Sequence, residues 1–178
     1  MLFIDPVFEW IVCLALALLM ATAAWQKLRH PKMFRGVLEQ YRILPEPVPR
    51  AASIIIPLGE LASALALMFP DTRDLGSVST AALLTSYAFA MAVNLVRGRR
   101  YLDCGCHLGS HRQRISGFLV LRNGLLVLLT LSLLLPTTPR VVEWFDMGIV
   151  CYGLGLTTLL YHICNTLDAN RHRLSALS

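Results

Sequence analysis

Five apolar stretches, each close to the length that a helix needs to cross a bilayer, dominate this sequence. A membrane-spanning helix requires about 20 mainly apolar residues. Of the 178 residues, 56% are apolar and only 15% are charged, which leaves too little polar surface for an ordinary soluble domain. The sequence therefore predicts an all-α, polytopic membrane helical bundle, with about five transmembrane helices in a single integral membrane domain at residues 1–178. The predicted spans are residues 8–28, 51–69, 77–96, 117–136 and 147–167.

A further helix is predicted at residues 31–42, directly after the first span. Apolar side chains recur there at helical spacing with charged residues between them, a pattern typical of an interfacial amphipathic helix. The proline-rich run that starts at Pro45 is expected to end this helix, because proline lacks the backbone N–H. The apolar positions are Met33, Phe34, Val37, Leu38 and Tyr41.

The basic residues are distributed unevenly along the predicted connections. Of the 16 lysines and arginines, only Arg73 and Arg140 fall outside the first loop, the third loop, the adjoining helix ends and the C-terminal tail. Because positive charge is retained on the cytoplasmic side, the first and third loops are predicted to be cytoplasmic and the N-terminus external. The net charge of +5 does not indicate a nucleic-acid partner, since the basic residues lie beside helix ends and are not interleaved with aromatics. The predicted partner of these surfaces is the lipid bilayer.

Two of the five cysteines, Cys104 and Cys106, lie one residue apart in the third loop. Nearby cations lower the pKa of a thiol, and the thiolate is both the attacking species in disulfide exchange and a metal ligand. Asp103 precedes the pair, and the cations expected to favour the thiolate are Arg99, Arg100 and Arg112. The other three cysteines lie within spans, where packing is the expected role, although a disulfide between Cys13 and Cys151 is compatible with the topology.

Three interpretations of the cysteine pair stay open. The first is a reversible dithiol and disulfide, in which Gly105 relaxes the backbone of a small, strained ring. The second is a metal site formed by Cys104, Cys106, His107 and His111; zinc sites usually space their cysteines more widely, whereas copper(I) accepts looser geometry. The third is a structural disulfide or two idle thiols.

Polar residues inside the predicted spans form a second signal. Glu60 falls near the middle of the second span, where a carboxylate is costly enough to indicate a functional residue. We hypothesise that Glu60 pairs with Lys27 or Arg122, and that the pair either serves the function or only sets helix register. The other polar candidates are Asn94 and Asn123, which lie toward the basic face, as Lys27 and Arg122 do.

Four segments carry a resemblance to a known family. They are 34–37 with 41–45, then 57–61, then 94–99 running into Asp103-Cys104-Gly105-Cys106, and finally 115–116 with 121–123. In these segments the sequence resembles the methylamine utilisation protein MauE family, within the wider DoxX-like membrane proteins. The resemblance covers most of the first four spans. An aromatic residue is expected directly after the second cysteine, where this chain has His107.

The resemblance implies a multi-pass protein of the bacterial cell inner membrane that is needed to make active methylamine dehydrogenase. Its implied partners are a periplasmic thioredoxin-like protein and the disulfide-rich small subunit of that enzyme. We therefore predict a maturation or assembly factor that acts by thiol–disulfide exchange at Cys104 and Cys106. The alternative is a non-catalytic membrane scaffold or transporter that delivers a metal or the immature subunit. Whether the chain is itself an enzyme, and whether quinone binds between the helices as a cofactor, stays open.

The predicted topology and the predicted role place the cysteine pair at opposite faces of the membrane. The positive charges place the cysteine pair at the cytoplasmic face, whereas disulfides of the small subunit form in the periplasm. Three explanations stay open: the charge rule fails here, electrons cross the bundle between this pair and Cys13 or Cys151, or the pair has another task.

Overall fold

The computed structural model describes residues 3–43, 45, 47–99, 102 and 115–174, and these form an all-helical bundle. The prediction of an all-α polytopic bundle is confirmed. A 3-10 turn at Pro70–Thr72 joins the third and fourth helices. The helices are α1 (Pro6–Arg29), α2 (Pro31–Tyr41), α3 (Val48–Met68), α4 (Arg73–Val96), α5 (Gly117–Ser132) and α6 (Trp144–Leu174).

Four of the described helical segments are long and apolar enough to cross a membrane, so the chain is a multi-pass membrane protein. They are Pro6–Arg29, Val48–Met68, Pro70–Val96 and Trp144–Leu167. The fifth apolar helix, α5, ends at Ser132, four residues before the end of the predicted span 117–136. The chain continues through Leu133–Leu135 in tighter turns, in which each N–H bonds to the carbonyl three residues earlier. Pro136 explains this end, because the residue before a proline is disfavoured in the helical conformation.

Polar side chains mark where two helices begin. The Asp5 carboxylate accepts a hydrogen bond of 2.8 Å from the Val7 N–H, and Pro6 occupies the first helical position of α1, as N-terminal caps favour. The Ser116 hydroxyl likewise accepts from the Leu119 N–H and starts α5. Both helices therefore begin where their sequences contain a capping residue.

Helix α2 corresponds to the predicted amphipathic helix. It packs on α3 and α1 through the buried side chains of Phe34, Val37 and Tyr41, while Met33 stays half exposed. It ends at Arg42, whose φ of 48° is left-handed and breaks the helical path. The segment therefore lies against one end of the bundle.

The two ends of the bundle carry different groups. At one end the N-terminal segment pairs with the chain after α5, since the Ile4 N–H donates to the Pro136 carbonyl and the Thr138 N–H donates to the Ile4 carbonyl. The opposite end of the bundle carries Lys27 and α2, and we call it the α2 end. Helix α1 packs against α3 and α6, and α4 packs between α3 and α5.

Gly76 sets the closest approach between α3 and α4. A Cβ atom added there would lie 2.7 Å from the Leu67 backbone nitrogen and 2.9 Å from the Ala66 carbonyl carbon. Backbone atoms of a packed helix cannot move aside as a flexible side chain can. The α3–α4 hairpin therefore requires glycine at this position.

Gly76→Ala is expected to destabilise the bundle by about 1–3 kcal/mol, because overpacking forces the two helix backbones apart. Gly59→Ala in α3 is the matched control, since an added Cβ there meets nothing within 4 Å. That control is expected to raise stability by roughly 0.5–1 kcal/mol through helix propensity. The measurement is thermal unfolding of both variants in the same detergent. Equal effects of the two substitutions would contradict the close crossing.

Candidate functional site

A buried ion pair joins α1 to α3 near the α2 end. The Lys27 ammonium donates to Glu60 Oε1, and the two side chains are 2% and 0% exposed. Lys27 lies in the last turn of α1, where the helix dipole favours a cation. Of the two partners predicted for Glu60, the structure selects Lys27.

Tyr87 of α4 completes the network around this pair. Its hydroxyl donates to Glu60 Oε1 over 2.7 Å and accepts from the Lys27 ammonium over 3.1 Å. The ammonium also lies 4.5 Å from the centre of the Tyr87 ring and 5.1 Å from the centre of the Phe34 ring. These cation–π contacts and the hydrogen bonds offset the cost of removing both charges from water. We call Lys27, Glu60 and the half-buried Tyr87 the buried triad.

Arg122 joins a different pair of helices. Its Nη1 donates to Asn165 Oδ1 over 2.6 Å, and its guanidinium lies 5.3 Å from the centre of the Tyr161 ring. Both partners belong to α6, so Arg122 links α5 to α6 instead of pairing with Glu60. Its Nε is buried and has no hydrogen-bond partner within the described ranges.

The two predicted asparagines are buried and bond to their own helices. The Asn94 side-chain amide donates to the Ala90 carbonyl over 3.0 Å, and the Asn123 amide donates to the Leu119 carbonyl over 3.1 Å. Both residues are at most 2% exposed. Each amide bonds to a carbonyl of its own helix, and neither asparagine enters either charged contact.

A large groove runs beside α1 and connects these polar groups. Its volume is about 700 Å³, and its walls come mainly from α1, α5 and α6. The buried triad, Arg122 and Asn123 line it together with His162 and Gln26. The groove was not predicted from the sequence, because it forms between helices that are distant in the chain and no local pattern marks it.

The two ends of the cysteine loop are joined in the structure. The Ile115 N–H donates to the Leu102 carbonyl over 3.0 Å. Ile115 is buried in a cluster with Val37, Tyr41 and Met91, and Leu102 packs against the same cluster. The base of the loop is therefore anchored on α2 and α4, at the α2 end of the bundle.

Several predicted site residues lie outside the described residues. Arg99, in contrast, is described. It follows α4 beyond Gly98, whose φ of 73° turns the chain, and the Arg99 N–H donates to the Asn94 carbonyl. Among the described residues no cluster of three or more His, Cys, Asp or Glu could hold a metal ion. The residues of the cysteine site and its metal alternative that are not described are Arg100, Asp103, Cys104, Cys106, His107, His111 and Arg112.

The three described cysteines are free thiols. Cys13 is buried in the core of the bundle, whereas Cys151 on α6 is exposed. The structure therefore does not contain the disulfide that the topology permits between them.

A second, largely buried ion pair, which was not predicted from the sequence, lies at the end opposite α2. Arg73 Nη1 contacts Glu9 Oε1 at 2.5 Å, and the guanidinium lies 4.7 Å from the centre of the Trp10 ring. The available signal was that Glu9 and Arg73 are predicted at the same membrane face, each at the start of an apolar helix. This pair ties the first turn of α1 to the first turn of α4.

These helices and their two buried ion pairs define a polytopic membrane protein with charged contacts between its spans. The methylamine utilisation protein MauE family model matches residues 5–136. The chain belongs to this family. The Paracoccus denitrificans methylamine utilization protein MauE is 35% identical over 164 residues, which cover 92% of this chain and 88% of the relative.

Two further relatives carry the same name. The Methylorubrum extorquens protein is 37% identical over 160 residues, covering 89% of this chain and 86% of the relative. The Paracoccus versutus protein is 40% identical over 128 residues, covering 72% and 69% respectively. No solved structure matches this chain.

Proposed function

We propose that this chain is an inner-membrane factor of bacterial methylamine utilisation that supports maturation of methylamine dehydrogenase by thiol–disulfide exchange. Membership of the MauE family supports the metabolic setting, since its relatives are named methylamine utilization proteins. The exchanging groups are Cys104 and Cys106. Their substrates are the cysteines of the enzyme's small subunit, reached directly or through a periplasmic thioredoxin-like protein.

One observation carries this proposal: the loop that contains both cysteines is closed at its base. The hydrogen bond from Ile115 to Leu102 brings together the two ends of a segment that contains the Cys-Gly-Cys sequence. Its two described ends, Leu102 and Ile115, therefore lie at one end of the bundle, against α2 and α4. Anchoring of this kind suits a pair of thiols that must meet a partner protein.

The exchange balances without any further reactant. A substrate thiolate attacks the disulfide of the pair and forms a mixed disulfide, and one cysteine of the pair leaves as a thiolate. A second substrate thiolate then attacks the mixed disulfide, so that the substrate gains a disulfide and the pair is reduced. The arginines near the pair in sequence, Arg99, Arg100 and Arg112, stabilise the leaving thiolate.

The membrane face of the loop sets the route of exchange. From the periplasmic face, the pair reacts directly with its partner. From the cytoplasmic face, which the positive charges favour, electrons must cross the bundle to reach a periplasmic protein.

Cys104→Ser and Cys106→Ser are each expected to lower methylamine dehydrogenase activity by roughly tenfold or more, because thiolate exchange requires both sulfurs. The measurement is enzyme activity in cells grown on methylamine in which the variant replaces the resident copy, at matched protein levels. Cys164→Ser is the matched control, since Cys164 is an exposed free thiol on α6.

The same variants separate exchange from the scaffold alternative. Cys106→Ser is expected to accumulate a reductant-sensitive adduct through Cys104, visible on a non-reducing gel. Full activity in both serine variants would contradict exchange and favour a scaffold or transporter.

A further inference from the structure

The groove beside α1 has the shape of a site for a long apolar chain with a polar head. Its α1 wall runs from Phe8 to Lys27, which at 1.5 Å per residue is about 28 Å, close to the hydrocarbon thickness of a bilayer. Most of its lining is apolar, and the α1 wall includes the small side chains of Ala15 and Ala23. The charged groups are concentrated toward the α2 end.

Two buried polar atoms among the charged groups lining the groove lack a partner within the described residues. They are Glu60 Oε2, an acceptor on a fully buried side chain, and Arg122 Nε, a donor. Buried polar groups without partners are costly, so an unpaired acceptor and an unpaired donor that line one groove indicate a ligand that supplies both complements. The charge of Lys27 is already compensated by Glu60.

We infer that this groove binds a polyprenyl quinone, with its ring beside the buried triad and its isoprenoid tail along α1. A quinone carbonyl accepts a hydrogen bond from a donor such as Arg122 Nε, and a hydroquinone hydroxyl donates to an acceptor such as Glu60 Oε2. A phospholipid phosphate fits less well, because it would face the Glu60 carboxylate, and like charges in a medium of low dielectric repel strongly.

The position of the ring deepens the proposed function, on which this step rests. The α2 end of the groove is also the end at which Leu102 and Ile115 close the cysteine loop. After the pair has oxidised its substrate, its two thiols transfer two electrons and two protons to the quinone. The products are the Cys104–Cys106 disulfide and the hydroquinone, so the pair is regenerated for another cycle.

Decylubiquinone is the probe for the binding site, titrated into the purified full-length protein in mild detergent and followed by calorimetry. Ala15→Phe is expected to weaken its binding by roughly tenfold or more, because the new ring fills the groove. Ala62→Phe is the matched control, since Ala62 is exposed on α3 and does not line the groove. Quinone extracted with the protein from membranes should fall in the first variant and persist in the second.

Four results would overturn the inference: no saturable binding of decylubiquinone, phospholipid as the extracted occupant, unchanged binding in Ala15→Phe, or equal losses in both variants. The cysteine variants distinguish failure of the quinone site from failure of the proposed function. Cys104→Ser with Cys106→Ser is expected to keep quinone bound while methylamine dehydrogenase activity is lost. Bound quinone with full activity in that variant would contradict thiol exchange and leave the site in place.

Discussion

Lys27→Met is expected to destabilise the bundle by about 3–5 kcal/mol, because it leaves the Glu60 carboxylate buried without its cation. Glu60 is fully buried, and Lys27 provides its ion pair. The measurement is thermal unfolding in detergent, together with the amount of protein recovered from membranes. Lys32→Met is the matched control, since Lys32 is exposed on α2.

The double variant Lys27→Met with Glu60→Leu tests the pair as a unit. Removing both charges is expected to recover much of the lost stability, since well-packed apolar residues replace buried ion pairs at little cost or with a gain. Tyr87→Phe, which removes one hydrogen bond to the carboxylate, is expected to cost about 1.5–3 kcal/mol. A single Lys27→Met variant as stable as Lys32→Met would contradict the structural role of the pair.

The double variant also separates the two roles hypothesised for Glu60. If the pair only sets helix register, the stabilised double variant keeps the methylamine dehydrogenase activity that the proposed function requires. If Glu60 also binds the quinone ring, the double variant is stable but inactive, and its affinity for decylubiquinone falls. Stability and activity measured on the same protein therefore assign the role.

Arg73→Met is the second substitution with a large expected effect, again about 3–5 kcal/mol of lost stability. The side chains of Arg73 and Glu9 are 9% and 13% exposed, so the remaining carboxylate is poorly hydrated. The substitution also removes the stacking of the guanidinium on Trp10. Arg73→Lys keeps the charge but not the planar geometry, and an intermediate loss is expected.

Arg140→Met is the matched control at the same end of the bundle. Arg140 pairs with Asp146, but its side chain is 47% exposed, and such surface pairs contribute about 1 kcal/mol or less. Thermal unfolding of both variants in one detergent compares the two sites directly. Equal losses at Arg73 and Arg140 would show that the Arg73 pair is not buried in the protein as it exists in detergent.

Much of the architecture was predictable from local patterns. The apolar stretches predict helices because an apolar run of that length is stable as a helix in lipid, where every backbone group must bond within its own segment. The amphipathic helix followed from spacing, and its end near Arg42 from the prolines beyond it. The end of α5 at Ser132 was missed by four residues, because Pro136 restricts the turn before it and not only its own position.

The candidate site, too, was predictable from the sequence only in part. A carboxylate at Glu60 predicts a cationic partner from its burial cost alone, and Lys27 and Arg122 both satisfied that requirement. Only the packing of α1 against α3 selected Lys27, and only the contact of α5 with α6 engaged Arg122 elsewhere. The Arg73–Glu9 pair escaped prediction because neither residue lies deep within its span.

The sequence by itself determined the class of protein, its helices, the candidate site at Cys104 and Cys106, and the need for a buried counter-charge. These follow from the length, polarity and spacing of neighbouring residues, which act within one helix or one loop. The tertiary structure decided which charges meet, that the cysteine loop is closed at its base, and that a groove as long as a span opens beside α1. Those features depend on which faces of distant helices pack together, and no local pattern in the chain specifies that choice.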